Sequence, residues 1–359
     1  MIPLYKPHIP ELPELDSIIK SGNLAFGKYA IEFENLLKNF IGNDNLIVTN
    51  TYANALNIAL TSLGVKHGDE VLVSPMACLV SLQPLISFGV SVKWLDVDPK
   101  YGTISPESLR EKVTKNTKAI IHNHFCGYVG YVDEINHIAR QYGIPVIDDC
   151  IEAFGSEYKG KLMGNVGTDA TIFSFNAVRI PNTIDGGAVV FNNKDAHKRS
   201  IRIRDNGIDR SIFRDEIGEI NPHCDITTVG YNATMSNVNA YIGIKQMEVL
   251  RELLLKQRLN ACLWNETFLG DSQNIPINMN NTKPNYWVYG LLSQNKTENL
   301  LKFRKQGFYS SGVHINSNIY SVFNDKTYLP GVQEFSEKFL AIPSGWWIGD
   351  NNGETNKIK

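Results

Sequence analysis

Short apolar runs alternate with longer segments of helical periodicity along the first 150 residues. The runs of strand length are NLIVTN, DEVLVSP, VSVKWLDVD, KAIIHNHF and IPVIDD, and the helical segments include ANALNIALTSLG, SLQPLISFG and DEINHIARQYG. Since parallel strands need a crossover between them, this alternation predicts β-α units and a mostly parallel sheet that is buried on both faces. Ligands bind at the carboxyl ends of such strands, so we expect the residues just after these runs to converge on one site.

The pattern changes near Val249, where a long charged helix, MEVLRELLLKQRLNACLWNETFLG, is followed by Asn-rich connections and shorter strands. A chain of 359 residues is long enough for more than one core. We therefore predict an α/β fold with a large domain over residues 1–248, which includes the N-terminal segment, and a smaller C-terminal α+β domain over residues 249–359.

Composition excludes several classes of partner. The formal net charge of -2 provides no field that would attract nucleic acid or an anionic membrane. The N-terminus lacks a basic segment followed by an apolar one, and no run reaches the length of a membrane span. The cysteines are far apart and form no C-x-x-C pair, so no zinc site or disulfide framework is indicated. We expect a cytoplasmic protein with reduced thiols at Cys78, Cys126, Cys150, Cys224 and Cys262.

Polar residues at strand ends supply the candidate chemistry. Asp148 and Asp149 end an apolar strand, where a carboxylate either caps the next helix or pairs with a ligand cation, and position alone leaves both roles open. Ser174 lies between strand aromatics, and its hydroxyl is either locally satisfied or a donor to an anion. Arg179 precedes Pro181 among apolar residues and is expected to face solvent, an acid or an anion.

Two histidines, His122 and His124, lie near the end of the strand KAIIHNHF. We expect their rings to point to opposite faces, and no third ligand is found at a helpful spacing. The sequence therefore predicts no metal site.

Taken together, these segments resemble the pyridoxal-phosphate (PLP)-dependent sugar-nucleotide aminotransferases of the DegT/StrS type, from about residue 15 to residue 345. The similar segments include SGNLAFGKYAIEFE, VIDDCIEAFGSEYKGKLMGNVGTDATIFSFN, DGGAVVFNN, VGYNATMSNVNAYIGIKQ, QGFYSSGVHIN and IPSGWW. The resemblance implies the fold-type I aminotransferase fold. It also implies a role in the synthesis of deoxy- or amino-sugars for a surface polysaccharide of the O-antigen type, with a nucleotide-linked sugar as the ligand.

Four residues match the cofactor site of the family. The resemblance implies that Asp149 pairs with the pyridine nitrogen of the cofactor and that Glu152 lies beside its phenolic oxygen. It further implies that Ser174 binds the phosphate and that Asn232 reaches the phosphate from the partner subunit. These matches imply a homodimer with shared sites.

Other positions depart from the family. Tyr52 and Ala53 replace a small polar pair that cradles the phosphate, and Cys78 replaces the aromatic residue that stacks on the ring. Thr234 replaces the arginine of an N-Y-R-M segment. Most consequentially, Arg179 stands where the family has the lysine that forms the Schiff base.

An arginine cannot replace that lysine, because its guanidinium stays protonated and neither forms a Schiff base readily nor acts as a base. The sequence thus predicts that ordinary transamination is lost. PLP or its amine form (PMP) is then held noncovalently or not at all. Arg179 is expected to pair with Asp149 across the ring space, with Glu152 as a second candidate partner.

The alternative hypothesis is an active PLP- or PMP-dependent aminotransferase or dehydratase on a nucleotide-linked 4-keto-6-deoxy sugar. It requires noncovalent cofactor or a lysine from elsewhere, and Lys159 and Lys161 are the nearest in sequence. Candidates for the substrate end of the pocket are His314 and Asn316, with Trp346 and Trp347 as further candidates for which core packing is the expected role.

Overall fold

The computed structural model describes residues 1–349, so residues 350–359 of the predicted C-terminal domain lie outside the described part. Its helices are α1 (Leu15–Lys20), α2 (Lys28–Ile41), α3 (Tyr52–Ser62), α4 (Leu79–Phe88), α5 (Pro106–Lys112), α6 (Val132–Tyr142), α7 (Lys194–Arg204), α8 (Asn237–Thr267), α9 (Lys296–Lys305) and α10 (Pro330–Lys338). Short 3-10 turns occur at Phe125–Gly127, Ser317–Ile319 and Ser321–Phe323.

The strands are β1 (Leu46–Thr49), β2 (Glu70–Val73), β3 (Ser91–Trp94), β4 (Thr117–Asn123), β5 (Val146–Asp149), β6 (Glu157–Tyr158), β7 (Lys161–Leu162), β8 (Ala170–Ser174), β9 (Gly187–Phe191), β10 (Asn274–Pro276), β11 (Thr282–Lys283), β12 (Tyr289–Ser293) and β13 (Phe339–Ile342). All five strands quoted from the sequence pattern are present, although β3 ends at Trp94, four residues before the end of its quoted run.

Seven strands form the central sheet in the order β1-β9-β8-β5-β4-β2-β3. Pairing is parallel from β8 to β3, and only β9 runs antiparallel to its neighbours β8 and β1. The prediction of a mostly parallel sheet between helices is confirmed. It positions the ends of β1, β2, β5 and β8 along one edge.

Both faces of this sheet are covered. In β1, Ile47 packs into one hydrophobic cluster, whereas Leu46 and Val48 pack into another on the opposite face. This alternation follows from the two-residue period of a strand. A strand buried on both sides must be apolar throughout, which explains why LIVT lacks the polar alternation of a surface strand.

The long helix begins earlier than predicted. Helix α8 spans 31 residues from Asn237, and Ser236 caps it by accepting the N–H of Asn239 at 3.1 Å. It therefore crosses the proposed boundary at residues 248 and 249 without a break. Beyond it, β10, β12 and β13 form a small antiparallel sheet. The division into two domains stays a prediction, with α8 common to both parts.

Helix α3 begins at the sheet edge and is capped by Thr51, whose Oγ1 accepts the N–H of Asn54 at 3.1 Å. We predict that Thr51→Ala lowers the free energy of unfolding by about 1 kcal/mol, because the first turn loses this acceptor. Thr51→Ser keeps the oxygen and is expected to remain close to the wild type. Urea unfolding of the three proteins measures the difference, and equal losses in both variants would contradict the capping role.

Candidate functional site

A cavity of about 520 Å³ opens at the carboxyl edge of the sheet. Its walls come from the segments after β1, β2, β5 and β8, the N-terminal segment, the segment before β12 and the loop before the 3-10 turn Ser317–Ile319. The lining residues are Tyr5, Thr51, Tyr52, Ala53, Cys78, Val80, Ile151, Ser174, Asn176, Val178, Arg179, Asp185, Trp287, Val313 and His314. Six of the residues singled out from the sequence are therefore brought together here.

Asp149 is fully buried at the end of β5, and its carboxylate accepts three hydrogen bonds. Its Oδ1 accepts the Tyr52 hydroxyl at 2.9 Å and the N–H of Ile151 at 3.1 Å, and its Oδ2 accepts Nδ2 of Asn123 at 2.9 Å. Burial raises the pKa of Asp149 despite these hydrogen bonds. The predicted pair between Arg179 and Asp149 is wrong, because Tyr52 reaches the carboxylate instead.

Glu152 is the carboxylate that faces Arg179. Its Oε1 lies 3.4 Å from Nη2 of Arg179 and 2.7 Å from Nε2 of His314, and its Oε2 accepts the N–H of Cys126 at 2.8 Å. Burial alone would raise the pKa of Glu152, but His314 and Arg179 shift it below its ordinary value. An ionised carboxylate thus contacts both His314 and Arg179. The sequence indicated Glu152 as a second candidate partner of Arg179 but gave no indication of its contact with His314.

Arg179 is held by an aromatic stack. Its Cζ lies 4.3 Å from the centroid of the Trp287 ring, and Tyr5 stacks on Trp287 at 4.5 Å with an interplanar angle of 16°. Only 7% of Arg179 is exposed, and its Nε and Nη1 have no hydrogen-bond partner within residues 1–349. A cation on an aromatic face with one buried carboxylate partner is a stable arrangement for arginine. The guanidinium is therefore fixed at the wall of the cavity.

Two smaller groups complete the wall. Cys78 is the residue that precedes α4, and burial together with the charge of Glu152 raises the pKa of its thiol to about 11. The thiol is therefore protonated at neutral pH. Ser174 accepts the N–H of Asn176 at 3.3 Å, a local contact that leaves its proton free to donate into the cavity.

Asp149 and Glu152 do not line the cavity themselves but contact its lining residues Tyr52, Arg179 and His314. Two further predicted residues, Asn316 and Asn232, are also absent from the lining. Asn316 donates to Oδ1 of Asn318 at 2.6 Å, so its amide is directed to the chain and not to the cavity. Asn232 is exposed, and its carbonyl accepts Nδ2 of Asn50 at 3.2 Å. Its predicted reach into a partner subunit stays a prediction.

No lysine lines this cavity among the described residues. Lys159 is exposed and pairs with Asp133, and Lys161 is exposed as well. Trp347 is buried in a hydrophobic cluster with Trp264 and Phe303, and Trp346 packs against Trp347; neither tryptophan lines the cavity. None of these four residues is in position to act on a ligand bound beside Arg179.

The prediction that His122 and His124 point to opposite faces is wrong. Residues two apart on a strand share a face, and both imidazoles reach Oδ1 of Asp148, at 3.3 and 3.2 Å, in a fully buried cluster. Asp148 is thus the nearby carboxylate that the sequence argument missed. Nδ1 of His124 accepts the N–H of Gly130 at 3.1 Å, which places the proton of the neutral ring on the nitrogen that faces Asp148. A metal ligand shows the reverse pattern, with its second nitrogen donating.

Three residues of the site were not predicted. Tyr5 and Trp287 carry no local signal, because a tyrosine near the N-terminus and a tryptophan before a short strand are ordinary core residues. Asn123 could have been found, because it lies at the end of a strand whose carboxyl edge was expected to face the site.

The whole chain is similar to known proteins. A model of the DegT/DnrJ/EryC1/StrS aminotransferase family matches residues 9–351. The chain belongs to this family. One relative of known name is the UDP-4-amino-4,6-dideoxy-N-acetyl-beta-L-altrosamine transaminase of Campylobacter jejuni. The two sequences are 33% identical over a stretch that covers 72% of this chain and 66% of the relative.

Two solved structures superpose closely on this chain. AtS13 from Actinomadura melliaura matches with a TM-score of 0.92 and 27% identity, covering 100% of this chain and 97% of the other. The sugar aminotransferase CalS13 from Micromonospora echinospora matches with a TM-score of 0.91 and 25% identity, covering 100% and 98%. The predicted aminotransferase fold is confirmed.

The DegT/DnrJ/EryC1/StrS family is PLP-dependent, and the cavity residues do not fit a covalently held PLP. The cavity offers no lysine among residues 1–349. The Tyr52 side chain extends from the start of α3 to Asp149 and occupies the carboxylate that would receive a ring nitrogen. Arg179 is fixed between Trp287 and Glu152. The cavity residues therefore support no reaction step through a covalently held PLP.

Proposed function

We propose that this chain binds a nucleotide-linked sugar and does not perform ordinary PLP-dependent transamination. The proposal rests on the position of Arg179. Its guanidinium lies at the cavity wall, stacked on Trp287 and beside Glu152, and none of the described residues that line the cavity is a lysine. A guanidinium does not give up its proton at accessible pH, so it neither attacks an aldehyde nor shuttles a proton. The pocket is then available to bind a ligand without covalent PLP.

The pocket has the properties of a ligand site. Its volume of about 520 Å³ falls within the ordinary range for small-molecule sites, and the walls combine apolar side chains with a few polar groups. The guanidinium of Arg179, the hydroxyl of Ser174 and the imidazole of His314 are suited to the hydroxyl and carbonyl oxygens of a sugar. The name of the Campylobacter relative supports a nucleotide-linked amino-sugar as the ligand class.

Further parts of the proposal come from the family resemblance. We place the protein in the synthesis of deoxy- or amino-sugars for a surface polysaccharide of the O-antigen type, in the cytoplasm. We propose a homodimer in which Asn232 of each chain reaches the other chain's pocket. Any PLP or PMP that binds is held noncovalently.

Calorimetric titration tests the binding proposal. The wild type is titrated with UDP-, dTDP-, GDP- and CDP-linked 4-keto-6-deoxy sugars, and at least one is expected to bind. Ala53→Trp fills the cavity from the first turn of α3 and is expected to weaken that binding at least tenfold, which corresponds to about 1.4 kcal/mol.

The matched control is Ile31→Trp on the exposed side of α2, which is expected to leave binding unchanged. Absence of binding by all four sugars would contradict the proposed function. Binding that Ala53→Trp does not weaken would place the ligand outside this cavity.

A further inference from the structure

The contact between His314 and Glu152 fixes which nitrogen of the imidazole is free. The two atoms, Nε2 and Oε1, are 2.7 Å apart, and Glu152 also receives Arg179 and the N–H of Cys126, so it is an ionised acceptor. An ionised carboxylate has no proton to donate, so the imidazole proton lies on Nε2. The neutral ring then carries its lone pair on Nδ1, which has no hydrogen-bond partner within residues 1–349.

The loop that carries His314 is held in a demanding conformation at the cavity. Val313 has φ of 61°, in the left-handed region that a β-branched residue rarely adopts, and its N–H donates to Oγ of Ser311 at 3.0 Å. Such conformations persist where the surrounding structure holds them, and they concentrate at functional sites. Both Val313 and His314 line the cavity, and 17% of the His314 side chain is exposed.

This arrangement is that of a base oriented by a carboxylate. Neither the departure from lysine at position 179 nor the family resemblance assigns a base to this chain. We propose that His314 is the general base of a cofactor-free reaction, in which Nδ1 removes a proton from the carbon beside the carbonyl of a nucleotide-linked keto sugar. The inference rests on the proposed binding of such a sugar and adds a reaction to it.

The step balances without a further reactant. The C–H bond breaks, its electron pair forms the carbon–carbon double bond of an enolate, and the carbonyl π pair moves to oxygen, while the proton forms an N–H bond at Nδ1. The cation of Arg179 at the cavity wall favours the negative oxygen. Return of a proton to the same carbon regenerates the keto sugar, with its configuration retained or inverted. No oxidant, reductant or cofactor is consumed.

Other groups have supporting roles. Glu152 acts as a positioning residue, since it orients the imidazole and stabilises the imidazolium that forms. The thiol of Cys78 and the phenol of Tyr5 line the same cavity and keep their protons at neutral pH, because burial raises the pKa of both. Either group can return a proton to the carbon.

Deuterium exchange tests the inference. The probes are dTDP-4-keto-6-deoxyglucose and UDP-4-keto-6-deoxy-N-acetylglucosamine, incubated in D₂O with the wild type, and NMR follows loss of the signal of the proton beside the carbonyl. Exchange is expected above the rate in buffer. His314→Asn is expected to lower it by about 100-fold or more, as for loss of a general base. His137→Asn, an exposed histidine on α6, is expected to leave it unchanged.

The outcomes separate this inference from the proposed function. Calorimetry on the same samples reports binding, and a probe that binds without exchange overturns the inference while the proposed function stands. Exchange that persists in His314→Asn also overturns it. If neither probe binds, the inference is overturned, and the proposed function fails as well only when the GDP- and CDP-linked sugars also do not bind. Should His314→Asn fold poorly by circular dichroism, Glu152→Gln replaces it, with a lower rate and unchanged affinity as the supporting result.

Discussion

Arg179→Lys alone is expected to leave the protein without a covalent cofactor, whereas Arg179→Lys combined with Tyr52→Gly is expected to capture PLP as an aldimine. The single change provides an amine, but the Tyr52 hydroxyl still holds Oδ1 of Asp149 at 2.9 Å. The double change removes the phenol and leaves Asp149 buried with an open acceptor. Because burial raises its pKa, a cationic ring nitrogen is the partner that Asp149 then needs.

Absorbance, followed by borohydride reduction and intact-mass analysis, measures the result. The double variant is expected to show a visible aldimine band and a mass increase of one reduced pyridoxyl group, with the new lysine modified. Tyr52→Gly alone is the control and is expected to show neither. A third change, Cys78→Phe, restores the stacking aromatic residue of the family. If the double and triple variants both fail to form an aldimine, the missing lysine and the Tyr52 contact do not account for the absence of covalent PLP.

Asp148→Ala is expected to lower the free energy of unfolding by about 1–3 kcal/mol, the usual cost of leaving a buried polar group without its partner. Asp148 is fully buried, and its Oδ1 faces both His122 and His124. Burial alone would raise the pKa of Asp148, but the two imidazoles shift it well below its ordinary value. Truncation leaves both rings buried without the carboxylate that they face.

Denaturant unfolding compares this variant with Asp133→Ala, whose carboxylate forms an exposed ion pair with Lys159. The control is expected to lose less than about 1 kcal/mol. Equal losses in the two variants would show that the buried cluster is not held by its carboxylate.

The cluster of His122, His124 and Asp148 also makes the free energy of unfolding depend on pH. The folded pKa of Asp148 is depressed, so its stabilising effect is present above the unfolded value of roughly 3.9 and is lost as the pH falls toward the folded pKa. The groups that face it are His122 of β4, His124 just after β4, and the thiol of Cys150, whose pKa is raised by burial. Unfolding curves between neutral and acidic pH should therefore converge for the wild type and Asp148→Ala.

Much of the fold could be predicted because burial leaves a direct signal in the sequence. The alternation of LIVT, EVLV and VIDD with helical segments reports strands that are covered on both faces. The start of α8 was missed because its first turns, from Asn237, are rich in polar and small residues and lack the charged pattern that follows Val249. Its N-cap, Ser236, was the available signal.

The candidate site could be predicted only where one strand end carried the chemistry. Asp149, Ser174 and Arg179 were found in this way or through the family resemblance. The partner of Arg179 could not be predicted from the sequence. The choice between Asp149 and Glu152 depends on the direction of the Tyr52 side chain, which occupies Asp149. The ring stack with Trp287 joins segments more than 100 residues apart in sequence, and no local pattern reports such a contact.

The loss of ordinary transamination is tested most directly on the unmodified protein. The purified chain is mixed with PLP, its absorbance is recorded, and borohydride reduction is followed by intact-mass analysis. We expect no reducible aldimine band and no increase in mass, because no lysine lines the cavity among the described residues. A band that borohydride removes, with one pyridoxyl group attached at a single lysine, would contradict this account and restore the active-enzyme hypothesis.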